Sequence, residues 1–258
     1  MKTTIRNTIL AGLLTALATP LQAGDPYTLP PQETSDGGDW EFSLGMFGWL
    51  TSVEGDVGPA GSVAPVDVEF GDILDALDMT ILANLEVRRG RWFLLSTLTY
   101  LELSADDSGG GLLFDRVSLE MDQTILSLWL AYRVLEGPTS VDVMAGARYM
   151  SIGTDIGFQG GTRDGTEASE DADWIDPLIG VRISHDFSEK WHGQLRADVG
   201  GFGVSSDLAW EVFAGVGYHI TDSIQMYGGY RYLNVDHDRS YVFDAETQGV
   251  VIGANFRF

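Results

Sequence analysis

The chain has 258 residues, with 38 acidic and 15 basic side chains and a formal net charge of −23. That balance excludes the clustered Lys and Arg that hold a phosphate backbone, so nucleic acid is not an expected partner. Cysteine is absent, which excludes disulfide frameworks, thiolate metal sites and cysteine nucleophiles.

Residues 1–23 read as a secretory signal peptide. Lys2 and Arg6 supply the positive start, Ile9 to Ala18 form a short apolar run, Pro20 breaks it, and Ala23 is the small residue before cleavage. The run is too short for a membrane-spanning helix, which needs ~20 residues. Cleavage removes two bases and no acid, taking the net charge from −23 to −25. Residues 24–39 hold three prolines and few apolar side chains, the composition of a flexible lead-in on the periplasmic side. No later segment has the continuous apolar length of a spanning helix.

From Trp40 onward the chain alternates. Ten strands are expected at 40–50, 79–89, 91–104, 117–135, 140–156, 174–187, 190–204, 207–220, 223–236 and 244–258, with eight or twelve as the other possibilities. In the clearest, Leu208, Trp210, Val212, Ala214, Val216, Tyr218 and Ile220 share one face, while Ala209, Glu211, Phe213, Gly215, Gly217 and His219 share the other. Residues 51–78 form the weakest part of this reading: Val66 to Phe70 alternate like a strand, and 71–78 read as a short amphipathic helix with Ile73 and Leu77 one turn apart.

A soluble sandwich also alternates. Three features favour a transmembrane antiparallel up-and-down β-barrel instead. One face of each strand is almost uncharged while the other carries full charges and glycines. Aromatic residues (Trp174, Phe187, Trp191, Tyr218, Tyr230, Tyr232, Phe256, Phe258) gather at strand ends, as interfacial girdles do. Turns are short on one side and mostly long on the other. The expected place is therefore the bacterial outer membrane, in contact with its lipid and lipopolysaccharide.

The terminal run Val251-Ile252-Gly253-Ala254-Asn255-Phe256-Arg257-Phe258 resembles the C-terminal signal of bacterial outer-membrane barrels. The chain as a whole resembles the small barrel superfamily of outer-membrane protein A and opacity-type proteins. More narrowly, Trp174-Ile175-Asp176-Pro177, Asp198-Val199-Gly200-Gly201-Phe202-Gly203 and Gly229-Tyr230-Arg231-Tyr232-Leu233 resemble a group of proteobacterial barrels with no known catalytic residue. The resemblance covers about residues 40–258. It implies that the barrel-assembly machinery reads Phe258 during biogenesis.

Alternation places Glu86, Arg88, Arg148, Asp176, Arg182, Arg196, Asp198, Glu211 and Arg231 inside. A narrow barrel is filled by its side chains, and charge there needs partners. The expectation is a lumenal ion network that holds the barrel's shape; an arginine-lined conduit for small anions is the alternative. The acidic loops (Glu54 to Asp78, Asp106 to Asp115, Asp164 to Asp173) read as solvated faces. They lack the Asp-x-Asp-x-Asp-Gly spacing of a calcium loop, and no metal or cofactor is expected. Asp236-His237-Asp238, with Ser205, Ser206 and Asp207 nearby, is the one place for a rim hydrolase. Neighbours on a strand point to opposite faces, so His237 is expected to be an exposed turn residue. The overall expectation is a non-enzymatic structural or envelope-maintenance barrel.

Overall fold

The computed structural model describes residues 39–61, 63–107, 115–160 and 165–258. The expected signal peptide and nearly all of the lead-in lie outside the described residues. Eleven strands and one short helix follow in order: β1 (Trp40–Pro59), β2 (Ala64–Val68), α1 (Phe70–Ala76), β3 (Leu77–Arg89), β4 (Trp92–Asp107), β5 (Arg116–Leu135), β6 (Thr139–Gln159), β7 (Thr166–Asp186), β8 (Trp191–Gly200), β9 (Leu208–His219), β10 (Ile224–Asp238) and β11 (Tyr241–Arg257).

Ten of the strands, all but β2, close into one antiparallel barrel. Each pairs with the next, and β11 returns to β1 from Ser43↔Arg257 to Pro59↔Tyr241. Closure removes the free edges an open sheet would leave in hydrocarbon. The expected ten-strand barrel is therefore the observed one, with β2 as a short addition on β1.

The period of two sorts the side chains as the sequence implies. Phe42, Leu44, Met46 and Leu50 of β1 lie exposed on the outer face, as do Ile179 of β7, Val216 of β9, and Val250 and Ile252 of β11. Trp49, Phe93, Trp129, Met150, Leu178 and Leu233 point inward and are buried. One aromatic departs from the expected girdle: Trp174 faces inward, 6% exposed, because it shares parity with Asp176.

The short turns lie at one end. Gly90 in the β3–β4 turn has φ +57, a left-handed conformation that glycine adopts without penalty. The other end is uneven. β5, β6 and β7 run for 20 or 21 residues, whereas β8 has 10 and β9 has 12. Two expected loops are therefore largely strand. The segment 51–78 continues β1 to Pro59 before β2 and α1, and 157–159 and 166–173 belong to β6 and β7. Conversely, β8 stops at Gly200, and the loop that follows holds Phe202 at φ +50 between two glycines. The extended edge of β7 carries Glu167, Glu170, Asp171 and Asp173; charges of this kind keep a projecting edge from pairing with another chain.

β1 has an interruption on one side. It pairs with β3 from Trp40↔Arg89 to Met46↔Ala83 and with β2 from Val53↔Val68 upward. Between them, Phe47 to Ser52 have β11 on one side and no partner strand among the described residues on the other. β2 and β3 thus occupy one strand position next to β1, split by α1.

Candidate functional site

The inward charges assemble into two layers. The layer nearer the short turns is centred on Phe93. Asp142 and Arg182 face each other across the β6–β7 ladder and form a pair at 2.8 Å. Arg182 also reaches Glu86 at 2.6 Å, and Arg133 bonds Asp142 at 2.8 Å. The guanidiniums of Arg88, Arg133 and Arg182 lie 5.2, 4.5 and 4.9 Å from the Phe93 ring centroid, where the ring face attracts cations. Arg88 comes only to 4.0 Å from Glu41 and donates instead to the Gly90 carbonyl.

The second layer crosses mid-barrel and is centred on Glu211. Asp198 and Glu211 are directly opposite on β8 and β9, a like-charge placement that repels unless cations intervene. One nitrogen of Arg148 does so, at 2.9 Å from Asp198 and 3.0 Å from Glu211. Arg196 and Arg231 add contacts to Glu211 at 2.5 and 2.8 Å. Arg148 donates to Ser127 Oγ at 3.1 Å and Arg231 to Thr99 Oγ1 at 3.3 Å. Arg196 lies 4.8 Å from the Trp129 ring and Arg231 lies 4.2 Å from that of Trp49. Three arginines and two carboxylates from β6, β8, β9 and β10 therefore converge, tied to β1, β4 and β5 through rings and hydroxyls. Arg148 and Glu211 are fully buried.

Above these layers the interior is apolar. Trp49, Ile125, Met150, Ile152, Trp174, Leu233, Val235, Tyr241, Phe243 and Val251 form one buried cluster. Among the described residues the lumen is thus charged through its middle and lined mainly by apolar side chains towards the loop end.

Asp176 departs from the expected network. It faces Arg148 across the ladder, yet it accepts hydrogen bonds from Ser206 N at 2.8 Å, Ser206 Oγ at 2.6 Å and Trp174 Nε1 at 3.2 Å. Trp174 stacks on His237, with ring centroids 4.2 Å apart. This latch draws the 201–207 loop over the short β8–β9 hairpin, helped by Ser205 Oγ donating to the Ile175 carbonyl. His237 is buried and inward, not the exposed turn residue expected, because β10 continues past it. It lies above the lipid-facing belt, level with the outward acids Asp236 and Asp244. The hydroxyl of Ser206 donates to Asp176, so this constellation ties the loop to β7. Asp176→Asn should loosen it by ~1–3 kcal/mol, the range for a disrupted buried hydrogen-bond set. Faster proteolysis within 201–207 and a shift in Trp174 emission would report this; unchanged cleavage would show that the loop holds by other means.

Arg133, Asp142, Glu41, Phe93 and Trp129 were not singled out by sequence reasoning. Asp142 was reachable from register, since it opposes Arg182. The rings were not, because an inward aromatic does not reveal whether a cation lies over it.

The C-terminal part of this barrel, residues 140–258, matches the family model described as Opacity family porin protein. With a closed ten-strand cylinder, an apolar outer face and that match, the location is decided. The chain is a bacterial outer-membrane β-barrel. The matched region contains the Asp198–Gly203 stretch and the terminal strand that the sequence singles out. No curated protein matches the chain. Among solved structures, the outer membrane protease OmpT from Escherichia coli is 13% identical, with 87% of this chain and 98% of that one covered, at a TM-score of 0.47. Ail, the attachment invasion locus protein of Yersinia pestis, is 13% identical over 86% of this chain and 100% of that one, at 0.36. A major outer membrane protein from Thermus thermophilus is 15% identical over 86% and 100%, at 0.38. In this barrel the short turns face the periplasm and the uneven end faces outward.

Proposed function

We propose that this barrel is a non-enzymatic structural protein of the outer membrane, closed to axial flow. The observation that carries this reading is the Glu211 layer: Arg148, Arg196 and Arg231 meet one carboxylate at mid-barrel, with the apolar cluster stacked above it. A solute crossing along the axis would have to break several buried ion pairs, each costly to leave with one partner missing. The near balance of charge also supports this over a selective conduit, whose wall carries an excess of one sign. The role extends to three proposals from the sequence: export by residues 1–23, delivery to the assembly machinery through Phe258, and contact between the acidic outer strands and lipopolysaccharide.

Planar-bilayer recording tests the closure. The purified barrel should insert without discrete openings across a wide voltage range. Openings in the native chain that vanish with Arg182→Ala or Arg196→Ala would replace the structural reading with a pore.

A further inference from the structure

The interruption beside β1 lies at membrane depth. Phe47 to Ser52 on β1 and Leu77 to Leu82 on β3 are both extended, and each has its other neighbour, β11 or β4. They do not pair with each other. On the outward face at this level stand Leu50, Met79 and Ile81, with Val250 and Ile252 of β11 alongside, all exposed and apolar. This is the lipid-facing belt. Unpaired backbone at such depth is tolerated only where protein covers it or where it lines an interior space.

Behind the gap the side chains are apolar apart from the Trp49 indole N–H and two threonines, Thr51 and Thr80, whose hydroxyls donate to the Gln248 and Tyr100 carbonyls. Phe47 and Leu82 are partly buried against the outer core. Trp49 is 7% exposed, and its Nε1 has no acceptor among the described residues, although one ring face is taken by Arg231. α1, which joins β2 to β3 and lies against both β1 and β4, has no buried residue, and its Leu74 is 55% exposed. Asp72, Asp75 and Asp78 surround that leucine in sequence.

We propose that the β1–β3 seam is a lateral opening that seats one hydrocarbon chain of an outer-leaflet lipid against Phe47, Trp49 and Leu82, with the chain's ester carbonyl taking the Trp49 N–H. The depth selects a chain over a soluble ligand. The aspartates around α1 repel a free fatty-acid carboxylate, so an esterified chain fits and its anion does not. The closed lumen and this side opening are compatible, since the seam leads to the apolar layer above the Glu211 belt.

Reconstitution in phosphatidylcholine brominated along the acyl chain tests the seam, because bromine quenches only indoles it touches. The expected result is that Trp49→Phe lowers the quenchable fraction of emission, while Trp129→Phe raises it, Trp129 being inward and away from the seam. A rise with both would overturn the proposal. Folding of each variant is checked by heat-modifiable mobility. Single-tryptophan chains keeping only Trp49 or only Trp129 give a second reading, with Trp49 losing most of its emission and Trp129 keeping it. The seam is then stapled with Gly48→Cys and Ile81→Cys, which continue the β1–β3 register in a chain that has no other cysteine. Once oxidised, the staple should shield Trp49; quenching that persists in the closed form would overturn this route. Outward Trp92 separates the premises: if bromination spares it as well, lipid contact itself fails, whereas quenched Trp92 beside shielded Trp49 rejects the seam alone.

Discussion

Replacing Glu211 with Gln should be the most damaging single change in the barrel. Three arginines converge on this carboxylate, and Arg148 shares Asp198 as its other acidic partner. Without it, five groups with an excess of one positive charge become an excess of two around one remaining acid. Removing one member of a buried ionic cluster costs ~3–5 kcal/mol, because the partners stay desolvated. The variant should refold in low yield, with its urea midpoint lowered and its heat-modifiable band weakened. Asp198→Asn should cost less, since Arg148 keeps Glu211. Equal loss from the two would show that the layer is not centred on Glu211.

Gly249→Val should rank second and act through closure. Gly249 lies on β11 opposite Thr51 of β1. A Cβ there would fall 1.9 Å from the Leu50 carbonyl oxygen and 2.8 Å from Thr51 Cα. Both are backbone atoms of the strand that completes the cylinder, so relief requires β1 and β11 to separate. Overpacking costs ~1–3 kcal/mol, occasionally more, and the upper part of that range is expected. Gly228→Val is the matched control: it faces lipid, and its Cβ would meet only the Val251 carbonyl, at 3.7 Å. The first variant should lose the folded band in refolding and in membrane extracts, while the second retains it. Similar yields would place the close approach elsewhere than the closing pair.

The contrast between the two glycines shows what alternation reveals. It fixes which face a residue occupies, and so the strand count and the inward placement of Glu86, Arg148 and Glu211 were legible from one sequence. It fails where both faces meet water. Thr166 to Asp173 carry acids on both parities because this part of β7 stands above the belt, so no period of two survives and the segment reads as a loop. The same polarity hid the upper part of β1. Alternation also says nothing of reach across the cylinder. Arg148 opposes Asp176 in register, yet it spans the interior to Asp198 and Glu211, and Asp176 turns to Ser206. His237 shows the reverse error: its acidic neighbours read as a turn, while its own side chain is part of the core.

The pairing that joins β11 to β1 brings the C-terminus back beside the first strand. Phe258 N–H donates to the Phe42 carbonyl at 2.9 Å, so both ends of the cylinder's chain sit on the same periplasmic rim. The ring therefore has no topological start, and a circular permutant is geometrically allowed: a short linker from Phe258 to Asp39, with new ends cut in an outward loop, would preserve every strand neighbour. Such a molecule would separate the order in which the strands are made from the order in which they stand.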